Sequence, residues 1–247
     1  MRTLVLLLGL VVFLSIALYG AVRSSPKLQL HGLYYLEKLG GGIDDGVYVY
    51  VSDQKDRYLP VIGAMIVRSR PNSLEEKVAL NFGSHLAEEC VTRRDVLKKY
   101  LFSDSYETRR ALLSVIHRTW DSIPIGEDGQ VSARLIQPHD EPNIEVPPES
   151  WMQFGGLHYD GFIDAYDGLP EAIRGVAKNL TSKSRIELLY WLEAVLQADF
   201  SDDQLSGAIS RSGANLYFES QNLSDHFVDV TRWIAEAEYE VLEESCP

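Results

Sequence analysis

The sequence predicts an α+β fold, in which an N-terminal antiparallel sheet is packed by helices and followed by a mostly helical C-terminal half. Two features of the sequence support this prediction. The first part of the chain contains runs of β-branched and aromatic residues, which favour strands. The later part contains apolar residues at helical spacing, most regularly over residues 223–244. We therefore expect a sheet only near the beginning of the fold.

The predicted sheet begins with an antiparallel meander of three strands. Residues 28–36 are aromatic and aliphatic, residues 47–51 alternate valine with tyrosine, and residues 58–67 form an almost continuous apolar run. Pro60 belongs at the start of the third strand or at a sheet edge, because proline cannot donate a ladder hydrogen bond. Further strand segments are predicted at residues 131–136 and 143–146, as a hairpin, and at 215–219.

The predicted helices follow sequence signals for their first turns. Ser73 and Glu76 form a capping box, as do Thr92 with Asp95 and Ser184 with Glu187, because hydroxyl and carboxylate oxygens can accept free backbone N–H groups. One predicted helix starts after Ser73 and another starts near Thr92. The remaining predicted helices cover residues 106–120, 169–180, 184–198, 202–209 and 223–244.

Residues 4–22 are almost entirely apolar and follow Arg2. Nineteen helical residues span about 28 Å, close to the thickness of a bilayer core. We therefore interpret residues 1–23 as a transmembrane anchor or a signal peptide. Residues 28–247 then form a single periplasmic or extracellular domain, with a candidate internal boundary near residue 147, where prolines cluster. Secretion after signal cleavage is the alternative.

Composition and motifs exclude several function classes. The net charge of −13 argues against nucleic acid as a partner, because phosphate binding needs a basic face. The chain has no phosphate-binding loop, dinucleotide fingerprint or zinc-protease motif, so we predict no cofactor and no metal site. Cys90 and Cys246 are the only cysteines, and the sequence leaves open whether they pair.

The acidic C-terminal region is a candidate binding surface. Residues 199–247 carry eleven acidic and two basic residues, and the acidic positions of the last helix lie largely opposite its apolar stripe. One interpretation is a solvated face, and the other is a docking surface for a partner protein with a basic surface. The candidate binding residues are Asp225, Asp229, Glu236, Glu240 and Glu243.

The aromatic segment 151–168 supports a second functional hypothesis. Aromatic side chains beside carboxylates are typical of sugar sites, and Asp160, Asp164 and His158 are the candidate catalytic residues of an envelope hydrolase acting on a glycan. The alternative is a structured loop whose aromatic residues fill the core. The primary hypothesis remains a membrane-tethered acidic binding protein, an inhibitor or immunity-type protein that neutralises a partner. A structural envelope component is a third hypothesis.

Overall fold

The computed structural model describes residues 25–39, 45–70, 72–120, 143–156, 166–198, 200–213 and 222–246. These residues form eleven α-helices and contain no strand, so the predicted α+β fold is wrong and the described architecture is all-α. The helices are α1 (Pro26–Leu39), α2 (Asp45–Asp53), α3 (Lys55–Arg68), α4 (Leu74–Glu88), α5 (Cys90–Leu101), α6 (Tyr106–Trp120), α7 (Glu149–Gly156), α8 (Leu169–Asn179), α9 (Ser182–Gln197), α10 (Asp202–Arg211) and α11 (Leu223–Ser245).

The three predicted meander strands lie in α1, α2 and α3. The third run, residues 58–67, was predicted as a strand because its continuous apolar character hid the helical spacing of its buried positions. Pro60 lies inside α3. Valine and tyrosine disfavour a helix by less than about 1 kcal/mol per residue, which core burial overrides. Residues 143–146 form a turn, whereas 131–136 and 215–219 lie outside the described residues. The buried positions of α3 that show the helical period are Tyr58, Leu59, Ile62, Met65 and Ile66.

The helices predicted for the later part of the chain are confirmed to within about two residues at their ends. The Ser73 cap is confirmed, because its hydroxyl accepts a hydrogen bond from the Glu76 amide at 3.2 Å. The other two caps are wrong. Helix α5 starts after Glu89 rather than at Thr92, and Thr181 instead of Ser184 caps α9.

Helix α6 lies at the centre of the described structure. It packs against α3, α4, α5 and α9, while α1 and α2 pack on α3 and α4. Helix α11 covers the other side of the core, where it packs against α5, α8, α9 and α10. The apolar stripe of α11 is buried in the same hydrophobic cluster as the side chains of α3 and α6. The long C-terminal helix is therefore an integral part of the core.

Helices α3 and α6 pack tightly against each other at Gly63. A Cβ atom at this position would overlap the backbone carbonyl of Ala111 on α6, so neither helix can accommodate it without moving. We expect Gly63→Ala to lower the free energy of unfolding by about 1 to 3 kcal/mol, as overpacking does in a core. Chemical denaturation followed by circular dichroism measures this change.

Gly32 in α1 provides the matched control for that substitution. It is also a helical glycine, but a Cβ atom there meets no other atom within 4 Å. We expect Gly32→Ala to raise stability by up to about 1 kcal/mol, because alanine favours the helix. Equal effects of the two substitutions would contradict the close contact between α3 and α6.

A disulfide and a buried ion pair link α11 to the rest of the fold. Cys90, the first residue of α5, forms a disulfide with Cys246, which caps the end of α11, and their Cα atoms lie 5.7 Å apart. Arg185 of α9 forms a buried ion pair with Glu238 of α11. The structure thereby resolves the cysteine pairing that the sequence left open.

Within the described residues, we find no helix that combines the length and the apolar character needed to cross a bilayer. This finding contradicts the predicted single-pass membrane arrangement. Residues 4–22, on which that prediction rested, lie outside the described residues.

Candidate functional site

The five predicted binding residues all lie on α11, but the structure separates them into groups with different surroundings. Asp225 and Glu243 are exposed, and no ion pair within the described residues involves either of them. The other three, Asp229, Glu236 and Glu240, are partly buried and paired with basic side chains. The predicted acidic face is therefore not one uniform surface.

Helix α8 neutralises the middle of this face, at Glu236 and Glu240. The Arg174 guanidinium lies 2.8 Å from Glu236, and the Lys178 ammonium lies 2.7 Å from Glu240. Both basic residues sit one helical turn apart on α8, and the two glutamates have the same spacing on α11. These ion pairs align α8 against α11, so Glu236 and Glu240 have a structural role within the fold.

The N-terminal half of the face remains open. Asp225 lies in the first turn of α11, and Asp229 follows one turn later with 45 % of its side chain exposed. Arg232 lies 3.1 Å from Asp229, but 57 % of its own side chain is exposed. Such exposed pairs contribute between about 0 and 1 kcal/mol and exchange readily with other charges. We call Asp225 and Asp229 the acidic patch.

His226, beside the acidic patch, adds no positive charge to it near neutral pH. Burial lowers the pKa of His226 to about 4, although the Asp229 carboxylate opposes this shift. The imidazole ring packs edge-on near Trp233, with ring centroids 6.5 Å apart. The His226 imidazole therefore adds no positive charge to the patch in the pH range in which histidines ordinarily titrate.

A cleft of about 170 Å³ opens next to the acidic patch. Four helices contribute to it: the end of α5, the start of α6, the end of α9 and the N-terminal half of α11. Its apolar lining comes from Leu101, Leu196 and Val228, and the side chain of Phe102, next in the chain, is 81 % exposed. The other residues that line the cleft are Tyr100, Ser103, Arg109, Glu193, Thr231 and Arg232.

A buried hydrogen-bonded network forms part of the cleft wall. The Glu193 carboxylate accepts a hydrogen bond from the Tyr100 hydroxyl at 2.6 Å and two from the Arg109 guanidinium at 2.8 and 3.2 Å. Burial and the neighbouring carboxylate raise the pKa of Tyr100 well above its ordinary value, so the phenol remains a donor. The hydrogen bonds to Glu193 raise the pKa of Arg109, which remains charged.

The polar groups of this network already have hydrogen-bond partners within the protein, which limits the chemistry available to the cleft. Both oxygens of Glu193 accept hydrogen bonds, and Arg109 also donates to the Ser103 carbonyl at 3.2 Å. The described residues contain no group of three or more His, Cys, Asp or Glu side chains that could hold a metal ion. A surface with satisfied polar groups and apolar walls is suited to binding a partner.

The predicted catalytic candidates Asp160, Asp164 and His158 lie outside the described residues. The earlier part of their segment forms α7, where Trp151 packs against Trp191 and donates a hydrogen bond to the Ala208 carbonyl at 2.9 Å. Trp151 is thus a core residue, as the alternative interpretation of this segment expects.

The sequence interpretation missed the cleft because its residues are far apart in the chain. One signal was nevertheless present in α11. The apolar stripe passes through Phe227 and Val230, whereas Val228 lies off the stripe, next to Asp229. The structure leaves 52 % of this valine exposed at the edge of the cleft. An apolar residue on the polar face of an amphipathic helix is a usable indication of an interaction surface.

Comparison with known proteins gives no assignment, since no family profile, no curated protein and no solved structure matches this chain.

Proposed function

We propose that this protein is an acidic binding module that engages a partner protein with a basic surface through the acidic patch on α11. The observation that carries the proposal is the division of the acidic face by α8. Two of its five predicted binding residues are neutralised by that helix and Glu243 is exposed at the far end of α11, whereas Asp225 and Asp229 remain on an open surface beside a cleft. An inhibitor that neutralises a basic protein fits this arrangement.

The electrostatics of the region support this proposal. The net charge of −13 attracts a basic partner at long range, and the local patch orients it during the encounter. Buried His226 remains neutral near pH 7 and does not weaken the patch. Because the two carboxylates are accessible, we expect them to accelerate association and to make binding sensitive to salt.

A labelled synthetic helix made of leucine and lysine provides a defined probe for this function. We expect fluorescence anisotropy to show binding at low salt, with weaker binding as ionic strength rises. The double variant Asp225→Asn with Asp229→Asn should weaken binding by about three- to tenfold at low salt, because it removes two exposed charges without changing side-chain size. The effect should shrink at high salt.

The matched control is Glu243→Gln with Glu244→Gln, which removes the same charge at the other end of α11. These exposed residues lie about 21 to 28 Å along the helix from the acidic patch. The control variant should bind the peptide within about twofold of the unmodified protein. Equal weakening by the two double variants, or binding that does not depend on salt, would show that α11 has no local docking patch.

A further inference from the structure

We propose that the cleft beside the acidic patch receives an apolar side chain of the basic partner, so that the partner segment is a basic amphipathic helix. This inference rests on the proposed function and specifies the partner. Three observations support the inference: the size of the cleft, the hydrogen bonding of the polar groups in the cleft wall, and the position of the acidic patch.

The cleft has room for one apolar side chain. Its volume of about 170 Å³ is close to that of a cavity of about 150 Å³ that can hold a benzene molecule. A leucine or phenylalanine side chain therefore has a suitable size for the cleft. Leu101, Leu196 and Val228 would surround such a group, and Val228 is exposed until something covers it.

The polar residues in the cleft wall favour an apolar occupant. Tyr100 and Arg109 already donate to Glu193, and the Thr231 hydroxyl donates to the Phe227 carbonyl at 2.6 Å. An apolar side chain would therefore cover these groups without breaking a hydrogen bond. A polar ligand would have to compete with short internal hydrogen bonds, so the cleft offers it little.

The charges around the cleft specify the flanking residues of the partner. Asp225 borders Val228 on the surface of α11, since residues three positions apart are neighbours there, and Asp229 lies one turn beyond Asp225. Arg232 lies at the cleft, and its guanidinium is compensated by Asp229 at 3.1 Å and Glu236 at 3.8 Å. A helix with an apolar residue in the cleft can place lysines one turn away, opposite the patch.

The test uses the leucine–lysine probe with a single leucine replaced by alanine at each position in turn. One leucine of the peptide should occupy the cleft, and we call its position the anchor. At the anchor, we expect replacement by alanine to weaken binding to the unmodified protein by about tenfold or more, which corresponds to loss of a buried leucine side chain. The charge of the peptide is unchanged, so its salt dependence should be unchanged. A peptide series in which every leucine matters equally would overturn the inference.

Protein variants locate the anchor. Val228→Phe should fill the cleft from its edge and reduce the discrimination between leucine and alanine at the anchor to about twofold, because the pocket is then occupied. Val49→Phe is the matched control, since Val49 is also a helical valine with 55 % exposure, on α2. This control should keep the tenfold discrimination.

The outcomes separate this inference from the proposed function. If Asp225→Asn with Asp229→Asn weakens binding but Val228→Phe leaves the discrimination intact, the cleft inference fails and the acidic docking function stands. Absence of salt-dependent binding to the unmodified protein would overturn both. If Val228→Phe does not fold, as judged by circular dichroism, Leu196→Ala replaces it, and its enlarged cleft should favour a phenylalanine over a leucine anchor. Self-association that Val228→Phe abolishes would make a second copy the occupant and also overturn the inference.

Discussion

Reduction of the Cys90–Cys246 disulfide is expected to lower the free energy of unfolding by about 5 kcal/mol. The bond closes a segment with a sequence separation of 156 residues, and the stabilisation from a cross-link grows with the logarithm of the loop it closes. Guanidinium denaturation with and without a reductant measures this difference. The loss is a large part of the 5 to 15 kcal/mol that stabilises an ordinary domain.

The double variant Cys90→Ser with Cys246→Ser is the control for effects of the reductant itself. Its stability should match that of the reduced protein and should not change when reductant is added. Helical content should persist in the reduced protein, because Cys246 caps the end of α11 through its backbone amide as well. A change of less than about 1 kcal/mol on reduction would contradict the loop-closure account.

Removal of the Arg185 side chain charge is expected to cost about 3 to 5 kcal/mol at neutral pH, because it leaves the buried Glu238 carboxylate without its hydrogen-bonded cation. Only 3 % of the Arg185 side chain and 1 % of the Glu238 side chain are exposed. Arg185 also donates to the carbonyls of Ala177 and Lys178 at 3.1 and 3.2 Å, where it closes the end of α8. Denaturation of Arg185→Met measures the combined loss.

The pH dependence of this variant has a definite sign. Burial raises the pKa of Glu238, while Arg185 and the hydroxyl of Ser182 oppose that shift. A carboxyl group with a raised pKa in the folded state contributes stability at low pH and loses it as pH rises through that pKa. Without Arg185, the pKa of Glu238 rises further, so the deficit of the variant should shrink as pH falls towards about 4.

Two further variants separate the causes of that loss. Arg185→Met with Glu238→Met should recover part of the stability, because no unpaired charge then remains in the core. Arg232→Met, which breaks the exposed pair with Asp229, should change stability by less than about 1 kcal/mol. A double variant as unstable as Arg185→Met alone would assign the loss to the α8 carbonyls.

The sequence predicted the helices of the later part of the chain because each has a local signature. Residues 106–120 and 223–244 carry apolar residues at helical spacing, and Ser73 supplies an N-terminal cap. The strands were wrong because a short, almost continuous apolar run fits both a buried strand and a buried helix. Ile62 and Ile66 are buried on one side of α3, and this burial favours the helix over the strand. It is a tertiary effect.

The candidate site was predictable only in part, for a related reason. The charge pattern identified five of the acidic positions of α11, but it could not show that Arg174 and Lys178 would neutralise two of them. Those ion pairs join residues that are distant in the chain. Arg174 and Glu236, for example, lie 62 positions apart. The cleft required four helices to meet, so local patterns carried no information about it beyond the position of Val228.

The position of α11 has a consequence for biosynthesis. Its side chains complete the core and Cys246 completes the disulfide, so the hydrophobic faces of α5, α8 and α9 stay uncovered until this last described helix leaves the ribosome. Helix α5 emerges about 6 to 24 seconds before it at ordinary translation speeds of about 5 to 20 residues per second. A nascent chain halted before residue 222 should therefore be a strong substrate for chaperones, and oxidation should follow translation of Cys246.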